Sequence, residues 1–214
     1  MTIISDQWTL VHFTTLAGCP VTPSPRKCGA EFLAKLDAAF EDLWARRPWG
    51  PAKLITHMGA YVDRPDPQGT DRHAQGRAID IGEIRWPDGR WISASHGGSA
   101  APQIRARYLA VTAVFELHLG CVLNYWQPDG KHRSHWHLDD HREPGWSPAW
   151  KPSVRFLQAA LRYVWGAEGL AIDGDFGPKT KAAYVNATGG PEDLTGGLGW
   201  PLFLEETARR GFGL

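Results

Sequence analysis

A chain of 214 residues that is 43% hydrophobic and 21% charged has the composition of a globular protein with one large core or two small ones. Its 23 basic and 23 acidic residues cancel, so it lacks the broad basic field that nucleic-acid binding usually needs. We therefore expect no nucleic-acid partner. We also expect no membrane insertion, because no stretch approaches about 18 consecutive apolar residues.

The N-terminal segment and the cysteines lead to two further expectations. The N-terminal sequence MTIISDQWTL has neither the basic residues nor the apolar run of a secretory signal, which predicts a chain that is cytoplasmic when it is made. Cys19, Cys28 and Cys121 include no Cys-x-x-Cys pair and do not predict a disulfide framework.

Hydrophobic periodicity in the first two thirds of the chain predicts alternating helices and strands. In chain order we expect an irregular segment at 1–28, a helix at 29–46, a strand at 52–62, strands at 78–86 and 90–96, a helix at 104–119 and a strand at 122–126. The turn Pro87-Asp88-Gly89 joins two of these strands into a β-hairpin. This order predicts an α+β domain, in which helices flank a small antiparallel sheet.

The composition changes at REPGWSPAWKPS (142–153), where prolines interrupt any periodicity and indicate a linker. Three short helices are predicted after it, the second opening at Pro178 and the third covering 202–209. We therefore expect two domains, at 1–146 and 147–214, the second a three-helix module.

Two short segments concentrate residues that bind metals. DRHAQGRAID (71–80) places His73 seven residues before Asp80, and HRSHWH (132–137) contains three histidines. On a strand, His135 and His137 would point to one face while Trp136 packs on the other. Imidazole nitrogen and carboxylate oxygen are ligands that zinc takes, so the two segments together predict a metal site.

These segments resemble a known family. DRHAQGRAID is similar to the S-x-H-x-x-G-x-A-x-D signature of zinc peptidases that cut bacterial cell-wall peptides, a group that includes D-Ala-D-Ala carboxypeptidases, L-Ala-D-Glu endolysin peptidases, penicillin-insensitive murein endopeptidases and extensin-like C-terminal domains. HRSHWHLD resembles the second motif of that group, in its H-x-x-H-x-H form. The flanking stretches GAYVDRP and IDIGEIRWPDGR are most similar to the extensin-like branch.

The resemblance implies a role for each matching residue. It makes His73, Asp80 and His137 the ligands of a Zn²⁺ ion. It places His135 at the general base or transition-state stabiliser, with His132 as the second candidate. It implies that Arg64 binds the substrate or polarises the substrate carbonyl.

Two departures from the family pattern leave the base open between His135 and His132. Asp71 stands where the family usually has Ser. The Glu that acts as base in the carboxypeptidase branch has no counterpart, because Ser134 stands three residues before His137.

The second predicted domain has a resemblance of its own. VRFLQAALRYV followed by GLAIDGDFGPKTKAAY is similar, over 157–184, to the three-helix peptidoglycan-binding domain. The resemblance implies that Asp173, Asp175 and Phe176 contact the wall polymer. The chain departs from the pattern at VNATGG, where relatives continue with Val and a Phe-Gln pair.

Both resemblances imply the same partner, bacterial peptidoglycan. The expected function is that of a monomeric zinc peptidase of the phage endolysin type, which cuts an L-Ala-D-Glu bond or a cross-link after its release to the wall. Two alternatives remain open. One is a D,D-carboxypeptidase or wall-remodelling enzyme, and the other is a non-catalytic wall-binding protein with a structural zinc.

Overall fold

The protein combines a small β-sheet with α-helices in the part of the chain that the computed structural model describes, namely residues 2–3, 9–12, 27–45, 48–190, 194 and 199–214. The strands there are β1 (Thr2–Ile3), β2 (Thr9–His12), β3 (Lys27–Cys28), β4 (Leu54–Gly59), β5 (Ala78–Arg85), β6 (Trp91–Ser93), β7 (Cys121–Leu123) and β8 (Trp136–Asp139). The helices are α1 (Ala30–Ala45), α2 (Pro102–His118), α3 (Lys151–Tyr163), α4 (Pro178–Thr188) and α5 (Gly199–Phe212).

Strand β5 is the centre of the main sheet. Within the described residues the strand order is β2-β4-β5-β8-β7, and β6 pairs with the second half of β5. All neighbours in this sheet are antiparallel except β2 and β4, which run parallel. The predicted α+β class, a small antiparallel sheet with flanking helices, is confirmed.

Helix α2 supports the sheet at β8. The ring of Trp136 is fully buried and stacks on Tyr108 of α2, with 4.9 Å between ring centroids. Its indole Nε1 donates a hydrogen bond of 2.9 Å to the hydroxyl of Thr112. Because side chains alternate along a strand, this burial of Trp136 turns His137 to the opposite face of the sheet.

The three helices predicted near the C-terminus are present in the described residues, although the first and third begin earlier than predicted. Helix α3 begins inside the predicted linker, since Pro152 suits the first turn of a helix. Helix α5 packs closely on α2, where a Cβ at Gly211 would lie 2.4 Å from the carbonyl oxygen of Ala106. Buried side chains of the sheet domain and of these helices belong to one apolar cluster. The proposed domain boundary at 146 and 147 stays a prediction.

Some local expectations are wrong. Residues 1–28 were expected to be irregular, yet β2 pairs with β4 in register from Thr9–Leu54 to His12–His57. The second hairpin strand ends at Ser93, whose hydroxyl accepts a hydrogen bond from the Ser95 N–H and starts a 3₁₀ turn. Pairing with a distant strand forms β2 where the local pattern predicts none, and a capping side chain ends β6 before the apolar pattern does.

Two expectations concern absences. Among the described helices, none combines the length and the apolar character needed to cross a bilayer. Cys28 and Cys121 are buried free thiols. Cys19 lies outside the described residues.

Candidate metal centre

The turn that carries His73 is held by carboxylates. Asp71 Oδ1 accepts hydrogen bonds from the backbone N–H groups of His73, at 3.1 Å, and Ala74, at 3.2 Å. Asp66 accepts from the N–H groups of Thr70 and Asp71, at 3.1 Å each. Gly76 closes the turn with φ at +69°, a conformation that glycine adopts without strain. The loop before β5 therefore fixes the backbone of His73.

Asp80 and His137 face each other across the antiparallel strands β5 and β8. His137 Nδ1 lies 2.9 Å from Asp80 Oδ1, and His73 Nε2 lies 3.4 Å from Asp80 Oδ2. One ligand atom from each of the three residues lies within 4.8 Å of the other two. The structure thus brings His73, Asp80 and His137 into one group that could hold a metal ion.

Gly59 leaves space for this group. It is the partner of Asp80 on the neighbouring strand β4. A Cβ at Gly59 would lie 3.2 Å from Asp80 Oδ2 and 3.8 Å from Cε1 of His73. An alanine there would press on the Asp80 carboxylate and would touch the His73 ring at an ordinary contact distance.

Each of the two histidines uses its other ring nitrogen to bind the scaffold. His73 Nδ1 lies 2.9 Å from the carbonyl oxygen of Ala60, so Nδ1 donates to that oxygen and Nε2 is the nitrogen that faces Asp80. His137 Nε2 lies 3.0 Å from Asp139 Oδ2, which makes Nδ1 the nitrogen that faces Asp80. Hydrogen bonds of this kind orient metal-binding histidines and set their tautomers.

The electrostatics of the group favour positive charge. Burial opposes ionisation of Asp80, but the hydrogen bonds from His137 and His73 outweigh it and hold the pKa of Asp80 well below its usual range. Burial lowers the pKa of His137, while Asp139 and Asp80 together raise it to about 9. Without a metal, His137 therefore carries a proton between two carboxylates. A bound cation would take the place of that proton.

His132 and His135 lie beside the group. His135 Nε2 is 3.8 Å from Asp80 Oδ1, and its ring centroid is 5.1 Å from that of His132. His132 Nδ1 lies 3.3 Å from Asp129 Oδ1, and His135 Nδ1 lies 3.3 Å from the hydroxyl of Ser134. Burial lowers the pKa of His132 and of His135, so both rings are neutral at pH 7 and can accept a proton.

Arg64 pairs with Asp71, which stands where the zinc peptidases that the motif resembles usually have Ser. Its Nε and a terminal nitrogen both contact Asp71 Oδ2. The Arg64 side chain is 59% exposed, and this pair ties it to the turn that carries His73. Its contact with substrate stays a prediction.

A cavity of about 420 Å³ opens next to the metal-binding group. Its lining includes His73 and His137 of the group and also Cys121, Asp139 and Trp150. The site therefore has room for a ligand beside the predicted metal position.

Sequence reasoning missed Asp139, although it could have been found. It lies two residues after His137 on β8, so strand periodicity puts both side chains on one face. Together with Cys121 and His141, Asp139 forms a second group whose ligand atoms lie within 4.8 Å of one another. Cys121 could not have been found, since its pairing with Asp139 depends on the register of β7 and β8.

The residues predicted to contact the wall polymer lie in the turn before α4. Asp173 Oδ1 accepts hydrogen bonds from Gln158 Nε2, at 2.7 Å, and from the Asp175 N–H, at 2.9 Å. Phe176 packs edge-on against Trp146 with 5.0 Å between ring centroids. Asp173 and Phe176 thus make contacts within the fold, and their contact with a glycan stays a prediction, as does that of Asp175.

The comparisons with known proteins do not assign this chain to a family. No protein-family model, no curated protein and no solved structure matches it. What the site can do is therefore inferred from the geometry of its residues and from its two motifs.

Proposed function

We propose that the protein is a zinc-dependent peptidase that hydrolyses peptide bonds of bacterial peptidoglycan. The observation that carries the proposal is the convergence of His73, Asp80 and His137 within 4.8 Å beside an open cavity. Their order along the chain and their spacing are those of the zinc peptidases that the two motifs resemble.

The donor set suits a catalytic rather than a purely structural zinc. Two imidazole nitrogens and one carboxylate oxygen leave a fourth position for solvent, as in known catalytic sites. The hydrogen bond from His137 to Asp139 supplies the outer carboxylate that such sites commonly have. A zinc ion bound here would supply a Lewis acid that activates water and polarises an amide carbonyl.

His135 is the first candidate for the general base. Its Nδ1 can donate to the Ser134 hydroxyl, which leaves the lone pair of Nε2 directed toward the metal-binding group. From there Nε2 would take a proton from the attacking water and return it to the leaving amine.

His132 is the competing candidate. Its Nδ1 contacts the Asp129 carboxylate, which would stabilise the ring after it accepts a proton at Nε2. The ring centroid of His132 is 6.2 Å from that of His137, so it also lies next to the ligands. The pH profiles of His135→Gln and His132→Gln would separate the two, because only the base variant loses the limb that reports base ionisation.

Arg64 and the C-terminal helices complete the proposal. Arg64 would bind a substrate carboxylate or carbonyl oxygen by exchanging its contact with Asp71. The module formed by α3, α4 and α5 would hold the enzyme on the wall, in the manner of the peptidoglycan-binding domain it resembles. Such a pairing of modules is that of a phage-type endolysin.

The direct test is digestion of purified peptidoglycan by zinc-loaded protein, with the new termini identified by mass spectrometry. New amino termini on D-Glu would identify an L-Ala-D-Glu peptidase. Separation of stem peptides that were cross-linked would identify a cross-link endopeptidase, and release of free D-Ala would identify a carboxypeptidase. His137→Ala should release nothing. His118→Ala should stay active, since His118 also bonds a carboxylate, Asp42, but lies outside the site. Absence of digestion by the wild type on several wall types would refute the proposal.

A further inference from the structure

A second group of metal-binding side chains lies on the far side of Asp139. Cys121 of β7 and Asp139 of β8 are directly opposed in the strand register, and both are buried. His141 follows two residues later, with Nδ1 2.6 Å from Asp139 Oδ1. One ligand atom from each lies within 4.8 Å of the others.

The Asp139 carboxylate faces four hydrogen-bond donors. Its Oδ2 faces His137 Nε2, while Oδ1 faces both the backbone N–H, at 2.9 Å, and the ring Nδ1 of His141. The thiol of Cys121 is also hydrogen-bonded to it. Two of these donors, the thiol and the His141 ring, are metal ligands once they lose their protons.

The alternative of a nucleophilic cysteine fits the geometry less well. The thiol of Cys121 bonds a carboxylate rather than an imidazole, and burial together with Asp139 raises its pKa far above the usual range. An activated cysteine needs a neighbouring base or positive charge that favours the thiolate. A metal ion would instead form the thiolate by coordination.

We propose that Cys121, Asp139 and His141 bind a second transition-metal ion. A thiolate, an imidazole and a carboxylate form a donor set for zinc or a similar borderline ion, and not for calcium or magnesium. His141 is partly exposed and lines the same cavity of about 420 Å³, so an ion can enter and keep a solvent ligand. Asp139 joins the two sites, because its Oδ1 faces the second group and its Oδ2 orients His137.

Cobalt titration of the chelator-stripped, full-length protein tests this inference without relying on activity. A cysteine ligand gives Co²⁺ a sulfur-to-metal charge-transfer absorption in the near ultraviolet, which the first group, with no sulfur, cannot give. Wild type should bind two Co²⁺ ions per chain, one for each group, and show this absorption. Cys121→Ser should lose the absorption and one of the two ions.

Two further variants make the result specific. Cys28→Ser, which alters the other buried free thiol of the described residues, should keep both ions and the absorption. His137→Ala should lose one ion and keep the absorption. Wild type without the absorption, an absorption that survives Cys121→Ser, or a Cys121→Ser variant that still binds as many ions as wild type would each overturn the inference.

The outcome is separate from that of the proposed function. Hydrolysis of peptidoglycan with no thiolate absorption would leave the proposed function intact and refute the second site. The absorption without hydrolysis would support the second site and refute the proposed function.

Discussion

In two regions of this protein, Asp carboxylates serve different purposes. In the turn before α4, the two N–H groups of Gln158 Nε2 are shared among Asp173 Oδ1, the Asp175 carbonyl oxygen and Thr180 Oγ1, at 2.7 to 3.0 Å. Its Oε1 accepts from the Gly174 N–H at 2.9 Å. The hydrogen-bonding groups of this turn therefore bind one another and stabilise its shape.

The group around Asp80 is arranged differently. His73 and His137 each use one ring nitrogen for the scaffold and direct the other toward the same carboxylate. A cation that displaces the proton between these nitrogens and Asp80 would leave intact the bonds that orient the rings. A motif rich in polar residues therefore indicates a binding site only when some of its ligand atoms can bind a partner outside the fold.

The largest effect should come from breaking the site. Asp80→Asn removes the carboxylate that both histidines face, so hydrolysis of peptidoglycan should fall by about 10⁴-fold, because the variant loses charge stabilisation worth several kcal/mol. Release of soluble muropeptides over time measures this. Asp88→Asn, an exposed carboxylate in the β5–β6 turn, is the matched control and should keep full activity. Full activity of Asp80→Asn would contradict the assignment.

A variant of Glu116 tests whether the hydrogen bond from Ser153 is enough to keep a buried carboxylate charged. Burial raises the pKa of Glu116 from its usual 4.5 to about 8, and its hydrogen bond from Ser153, at 2.9 Å, only partly offsets this. Between these two pH values the unfolded chain releases the proton and the folded chain keeps it. The free energy of unfolding should therefore fall by a few kcal/mol as pH rises from about 4.5 to about 8, since each pKa unit is worth about 1.4 kcal/mol.

Urea unfolding at a series of pH values measures this dependence. Glu116→Gln, which stays neutral, should show a flatter profile than wild type over the same range. Parallel profiles for the two proteins would show that Glu116 is charged when folded.

The hydrogen bonds within the turn before α4 should contribute to stability and not to zinc binding. Gln158→Leu leaves the buried Gly174 N–H without its acceptor and removes a donor to the buried Thr180 hydroxyl, which should lower the free energy of unfolding by about 3 kcal/mol. Zinc affinity should be unchanged. Gln103→Leu, at an exposed position of α2, is the control and should change stability little. A loss of zinc affinity in Gln158→Leu would contradict the separation of the two regions.

The smallest effect concerns the orientation of a ligand. Asp139→Asn removes the negative charge next to His137 Nε2 and should weaken zinc binding at the first site about 10- to 100-fold. Calorimetry in a Cys121→Ser background isolates that site. Unchanged affinity would show that Asp139 does not orient His137.

The sequence predicts the ligand-bearing parts of the fold well, for a local reason. The spacing of His73 and Asp80 and the alternation about Trp136 depend on short segments, whose periodicity survives in the folded chain. The opposition of Asp80 and His137 and that of Cys121 and Asp139 depend on strand register between distant segments. Strand β2 and the contact of α5 with α2 were missed because they too are made by tertiary pairing.

The most direct test of the metal site is a crystal structure of the zinc-loaded protein with anomalous data collected on both sides of the zinc edge. We predict an anomalous peak about 2.0 to 2.2 Å from His73 Nε2, Asp80 and His137 Nδ1, with a solvent ligand in the fourth position. No peak among these three residues, or a fourth protein ligand in place of solvent, would contradict the account.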